Sequence, residues 1–141
     1  MTTIAADCRK GVMACDSMTS TSDSWWPSTK VYRVPDALIG GAGDAASVRQ
    51  FVAWFADGQR NPKPKLSDNF CCLVMTKEGL FYWASNLVPE PIERGFHAIG
   101  SGGNAALGAM LAGASVQKAV EIACMVDTSS GGEVVLHKLR G

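Results

Sequence analysis

Thr2 lies directly behind Met1 in the opening Met1-Thr2-Thr3-Ile4-Ala5-Ala6-Asp7. Because the second residue is small, removal of Met1 by a methionine aminopeptidase is the expectation, leaving Thr2 at the N-terminus. A threonine there carries a hydroxyl nucleophile and a free α-amine on one residue. The amine can take the hydroxyl proton, so no separate histidine is needed. The first carboxylate able to join that pair is Asp16. Thr2 to Asp7 reads as a strand, Arg9-Lys10-Gly11 as a tight turn, and Val12 to Asp16 as a second strand. A three-residue loop flanked by Cys8 and Val12 pairs Asp16 with Ile4. It then shares a face with Thr2 as a diagonal neighbour, roughly 7–8 Å away. A two-residue loop moves the register by one and turns Asp16 to the other face. Taken alone, Asp16 reads sooner as a strand-end turn residue.

Other catalytic chemistries are poorly supplied. The two histidines, His97 and His137, are far apart in sequence. The five cysteines, Cys8, Cys15, Cys71, Cys72 and Cys124, have no CxxC spacing and are odd in number. Neither a disulfide framework nor a zinc site fits that pattern. Cys71 and Cys72 adjoin on a strand, so they face opposite sides. They read as small buried hydrophobes in a reducing compartment. No metal and no cofactor is expected.

The 141 residues suffice for one domain, 1–141, with a hydrophobic core. Thirteen basic residues balance thirteen acidic ones without a basic run, which argues against nucleic acid and anionic membrane surfaces. No apolar run reaches transmembrane length, and the polar start is no signal peptide. A cytoplasmic protein is expected.

Elements that could position Thr2 and Asp16 follow in order. Residues 17–29 read as a polar loop or loose hairpin. Its Trp25 and Trp26 belong either to a satellite core, the ordinary expectation, or to a substrate or subunit contact. Lys30 opens the alternating strand Lys30-Val31-Tyr32-Arg33-Val34, and Ala37-Leu38-Ile39 runs into Gly40-Gly41-Ala42-Gly43. Asp44 is the predicted N-cap of a helix to about Asp57, with Val48, Phe51, Val52 and Phe55 as its apolar stripe. Residues 59–68 form a proline-bearing connector, 69–76 and 80–84 a hairpin, and 86–94 an irregular stretch. The strand 96–99 ends in Gly100-Ser101-Gly102-Gly103. Helices over 104–112 and 115–126 follow, then a turn at Asp127-Thr128-Ser129-Ser130-Gly131-Gly132 and a last strand, 133–139. Groups of strands with helices between them suggest two sheets covered on their outer sides.

These residues resemble the threonine peptidases of the proteasome β-subunit class, most nearly the HslV type of N-terminal-nucleophile hydrolase. The resemblance rests on Thr2-Thr3-Ile4, Asp16, Lys30 at its strand start, Gly40 to Asp44, Ala98 to Gly103 and Asp127 to Gly132, in that order. It implies an α+β fold, a four-layer αββα sandwich of two antiparallel sheets. It also implies hydrolysis of polypeptide substrates by a homo-oligomeric ring, with an HslU-like ATPase unfoldase as a possible partner. By motif position Thr2 is the nucleophile, Lys30 sits beside it and Asp16 balances that lysine. The Gly40 N–H is the implied oxyanion donor, and Ser101, Asp127 and Ser130 support the amine. Leu38, Ala42, Ser28 and Tyr32 border the substrate pocket on the same basis, which favours an apolar side chain. A free α-amine titrates near 7.7–8.0, and a neighbouring ammonium lowers it toward cytoplasmic pH.

The sequence also departs from that family. It is shorter than typical members, and residues 58–69 hold a connector where a second long helix is usual, so one outer helix is expected to be lost. Two competing functions are weighed: a catalytically silent ring scaffold, and an amidase for small amides. Gly100-x-Gly102-x-x-Ala105 and Gly41-x-Gly43-x-x-Ala46 satisfy a relaxed dinucleotide fingerprint. Glu121, about twenty residues beyond Gly100, falls inside a helix, which argues against that use.

Overall fold

The computed structural model describes residues 1–140. In chain order the elements are β1 (Thr3–Asp7), β2 (Val12–Cys15), β3 (Met18–Ser20), β4 (Trp25–Pro27), β5 (Val31–Val34), β6 (Ala37–Gly43), α1 (Ala45–Ala56), β7 (Phe70–Thr76), β8 (Gly79–Ala84), β9 (Glu90–Pro91), β10 (Phe96–Gly100), α2 (Gly103–Leu111), α3 (Val116–Val126) and β11 (Val135–Lys138). One sheet has the order β10-β1-β2-β11, a second runs β5-β6-β7-β8-β9, and β3 and β4 form a separate ribbon. Every pairing is antiparallel. The fold is α+β, and with no parallel βαβ unit among the described residues the dinucleotide fingerprints have no frame to work in.

Three apolar clusters hold these elements together. Ile4, Ala6, Met13 and Cys15 of the first sheet pack against Val31, Leu38, Leu73 and Met75 of the second. On β1 the intervening Ala5 joins Ala14, Ala98, Met110, Val120 and Ala123 beneath α2 and α3. Ile39, Cys72 and Val74 pack with Val48, Phe51 and Trp54 of α1. Alternation along each strand thus feeds both faces, as expected of sheets covered twice. Phe51 is fully buried, with ring centroids 5.3 Å from Trp83 and 5.5 Å from Phe70. Burying such a side chain stabilises by about 1.5–3 kcal/mol.

Gly40 serves this packing. A Cβ on it would lie 2.7 Å from Ile4 Cγ2 and 2.9 Å from Met13 Sδ, so its bareness lets the two sheets approach. Asp44 caps α1, accepting from the Ser47 N–H, and Ser115 caps α3 through the Lys118 N–H. The buried stripe of α1 takes Trp54, while Phe55 is only half-buried. Residues 57–69 contain neither helix nor strand.

The first hairpin corrects the expected register. Asp7 pairs with Val12, Ile4 pairs with Cys15, and the Asp16 N–H donates to the Thr3 carbonyl at 3.1 Å. Asp16 therefore lies across from Thr3 and not from Ile4, on the pleat face that Thr2 does not share. The cause is Asp7, whose carboxylate accepts from the Arg9 N–H and guanidinium and starts the turn one residue early. Gly11, at φ 66°, closes it. Trp25 and Trp26 are 60% and 45% exposed on the β3–β4 ribbon, so they form no satellite core.

Candidate active site

Asp16 stands one residue beyond β2, so its carboxylate is free of the pleat and turns toward the chain start. Oδ1 accepts the Thr3 N–H at 3.0 Å and Oδ2 the Gly131 N–H at 3.1 Å. Lys30, one residue before β5, brings Nζ within 2.9 Å of both oxygens. The same ammonium donates to the carbonyls of Met18 at 2.6 Å and Met1 at 2.7 Å. Asp16 is fully buried and Lys30 is 7% exposed. A charge pair so buried is tolerable only when both ions are this well saturated with hydrogen bonds. The observed register leaves the partnership intact, because carboxylate and lysine meet past their strand ends.

A second network arrives from the other side. Ser101, in the turn after β10, accepts the Thr2 N–H at 3.2 Å and donates to Asp127 Oδ2 at 2.6 Å. Ser130 donates to the same oxygen at 2.6 Å and lies 2.7 Å from Thr3 Oγ1. Since its proton goes to Asp127, Ser130 accepts from Thr3. Asp127 Oδ1 takes the Ser129 N–H at 3.2 Å. Burial pushes the Asp127 carboxyl up, but donation from Ser101, Ser130 and the Ser129 amide outweighs it and holds the group below its ordinary 3.8. Gly102 leaves room for this chain, since a Cβ there would overlap Thr3 Oγ1.

That depressed value fixes a pH dependence. A carboxyl whose folded value is lowered stabilises the fold above its unfolded value, and the benefit is lost as pH falls through the folded value. Asp127→Asn is expected to lower the denaturation midpoint at pH 7. The gap between parent and variant should close below about pH 4. Urea titrations of both proteins from pH 7 down to pH 3 check this, and a gap constant with pH would contradict it.

Thr2 lies where two cavities meet. One, about 380 Å³, is lined by Thr2, Ala42, Gly43, Asn69, Gly100 and Ser101 among others. The other, about 300 Å³, adjoins Thr2, Ser28, Lys30, Tyr32, Gly43 and Arg49. Of the residues expected here, Thr2, Lys30, Ser101, Ala42, Ser28 and Tyr32 line these cavities, with Asp16, Asp127 and Ser130 directly behind them. Leu38 is elsewhere. It is fully buried between the sheets and lines neither cavity. Gly40 also stands apart, inside β6 opposite Val31 and Leu73. The larger cavity of about 720 Å³ at Cys8, Gly11, Lys77 and Leu139 has size but no comparable constellation.

Gly40, the expected oxyanion donor, is buried and lines neither cavity, whereas Gly43 is exposed and lines both. The Gly41 N–H donates to the Lys30 carbonyl at 3.1 Å. Two residues on, strand alternation puts the Gly43 N–H on the same edge of β6, beyond Val31 and the start of β5, where Gly43 borders the cavity. Gly43 has φ 97°, and a Cβ there would overlap the Asn69 carbonyl, so only glycine fits. Alternation counted from a known sheet bond reveals it, but the bond was not legible in sequence. Thr3, the Gly131 amide and Arg49 were likewise missed. Cys71 also lines the 380 Å³ cavity, but burial disfavours the thiolate form of all five cysteines. Burial, then the Asp16 charge, pushes the Cys15 thiol up to about 11, and burial raises the other four. No group of three or more His, Cys, Asp or Glu among the described residues could hold a metal ion, and no helix among them is long and apolar enough to cross a membrane.

No protein-family model and no curated protein matches the sequence. Solved structures do match. Eukaryotic HslV from Trypanosoma brucei aligns with TM-score 0.78 at 20% identity, over 96% of this chain and 98% of its own. Thiobacillus denitrificans BPH in complex with epoxomicin aligns with TM-score 0.73 at 20% identity, over 99% and 100%. A second BPH structure from the same organism gives 0.69 at 20%, over 97% and 98%. The chain therefore has the fold of HslV and BPH, the one its ordered motifs resemble.

Proposed function

We propose that this chain is a threonine-type peptidase whose nucleophile is Thr2 once the Met1–Thr2 bond has been cut. The observation that carries this is the double hold on that bond. Its carbonyl accepts from Lys30 Nζ at 2.7 Å while its nitrogen donates to Ser101 at 3.2 Å. After cleavage that nitrogen is the free amine, oriented by Ser101 and Asp127 and flanked by an ammonium that Asp16 braces. Thr2 Oγ attacks the substrate carbonyl while its proton passes to the amine, directly or through water. The oxyanion forms toward the Gly43 N–H. Collapse breaks the C–N bond as the amine returns the proton to the leaving group. Water then hydrolyses the ester by the same route in reverse.

The two sheets with α1 outside one and α2 and α3 outside the other are read as the αββα sandwich, and the 57–69 connector as the lost outer helix. A cytoplasmic homo-oligomeric ring acting on polypeptides completes the proposal. Trp26, which lines the cleft, and its exposed neighbour Trp25 supply apolar surface for a subunit or substrate contact. An ATPase unfoldase partner would have to dock without the missing helix.

A peptide epoxyketone, which reacts with an amine and a hydroxyl on one residue, tests the assignment. The chain lacking Met1 should gain one adduct on the peptide beginning at Thr2, and the chain retaining Met1 should gain none. A mature chain that neither forms the adduct nor cleaves peptides refutes it. Turnover of small amides alone moves the activity to the amidase class.

A further inference from the structure

Arg49 gives the cleft a chemical preference that the nucleophile does not require. The 300 Å³ cavity beside Thr2 is lined by the hydroxyl-bearing Ser28, Thr29 and Tyr32 and contains no carboxylate in its lining. Two cationic side chains reach it, Lys30 and Arg49. Lys30 is neutralised from within, with both Asp16 oxygens 2.9 Å away. Arg49 is not. The described ion pairs are Arg9–Asp7 and Lys30–Asp16, so no carboxylate of the described residues lies within 4 Å of its guanidinium. Asp44, the acid at the start of the same helix, has Oδ2 occupied by the Ser47 N–H at 3.0 Å and the Ser47 hydroxyl at 2.7 Å. Its carboxyl is held below the ordinary value first by Ser47, with the charge of Arg49 the last of the contributions.

Arg49 is aimed by the geometry of α1. Ala45, Val48 and Arg49 are spaced i, i+3, i+4, so they share the helix face that borders the cavity. The Val48 methyls fill the space a Gly41 side chain would need and close the floor there. What remains is a shallow compartment with an apolar floor, a rim of hydroxyls and one uncompensated guanidinium.

We propose that this compartment selects peptides with an acidic side chain on the acyl side of the cleaved bond, with Arg49 as the specificity-determining residue. This rests on the peptidase function proposed above. A glutamate there gains a charge-assisted bond to a fork of donors, leucine gains only the floor, and lysine meets a like charge. This differs from the apolar preference that the sequence resemblance implies.

The test uses the mature chain and three fluorogenic peptide amides identical except for Glu, Leu or Lys before the amide. The kcat/KM for Glu should exceed that for Leu by about five- to tenfold and that for Lys by more, given the modest strength of exposed ion pairs. In Arg49→Gln the Glu-to-Leu ratio should fall to about one, and in Arg49→Glu lysine should become preferred over glutamate. Leucine preferred by the parent, with the order unchanged in Arg49→Glu, overturns the specificity and leaves the peptidase intact. Failure to cleave any of the three, with no epoxyketone adduct at Thr2, overturns the peptidase and this inference together.

Discussion

Thr2→Ala is expected to abolish peptide hydrolysis by the mature chain, with a fall in kcat/KM of at least about 10³-fold. Alanine is as small as threonine to an aminopeptidase, so Met1 is still removed and the free amine remains. The hydroxyl is lost, together with the γ-methyl. The Thr2 side chain is half-buried at the cavity junction, and its Oγ takes part in no hydrogen bond among the described residues, so folding should be unchanged. Thr2→Ser keeps a hydroxyl and should keep measurable turnover. The neighbouring threonine supplies the control. Thr3 is fully buried and its Oγ1 meets Ser130 at 2.7 Å. Thr3→Ala should therefore cost stability, about 1–3 kcal/mol for a disrupted buried hydrogen bond, while leaving the nucleophile in place. Denaturation midpoints and peptide turnover of the three variants separate these roles. Full activity in Thr2→Ala would end the proposal.

Much of this site was legible because residue type and order carried it. A threonine behind Met1, a lysine opening a strand, glycines before a helix and an Asp-x-x-Ser turn near the end are local features, and the helix caps Asp44 and Ser115 follow local rules. What sequence could not resolve depends on contacts between distant segments. The β1–β2 register turned on whether Cys8 belongs to strand or turn, which Asp7 decides through Arg9. The exchange of Gly40 for Gly43 as the exposed amide depends on where β5 begins opposite β6. In sequence, Gly40 to Gly43 look alike as members of one glycine-rich run, yet one lies between sheets and another faces the cleft. Motif position puts Leu38 at the pocket, but strand alternation sends it inward with Met75 as its partner. Arg49 sits on an ordinary helix face, and only the fold of residues 17–29 makes that face a wall of the cleft.

The ion pair behind Thr2 yields the second large effect, on stability and activity at once. Asp16→Ala strands the buried Lys30 ammonium and leaves the Thr3 and Gly131 amides without their acceptor. Removing one member of a buried pair costs about 3–5 kcal/mol, a large share of the roughly 5–15 kcal/mol that holds a domain folded. Lys30→Met strands the carboxylate, but the two amides still solvate it, so its cost should be smaller. The double variant Asp16→Asn with Lys30→Met removes both charges. Its stability should recover to well above that of Asp16→Ala, because neither ion is left buried alone. Activity should not recover. If the lysine serves to hold the Thr2 amine in its neutral form, a refolded site without it has a more basic amine, and residual turnover should appear only at higher pH. Urea midpoints of the three variants and the pH profile of the double variant decide between a purely structural pair and one that tunes the nucleophile. Recovery of both stability and neutral-pH turnover in the double variant would make the pair structural alone.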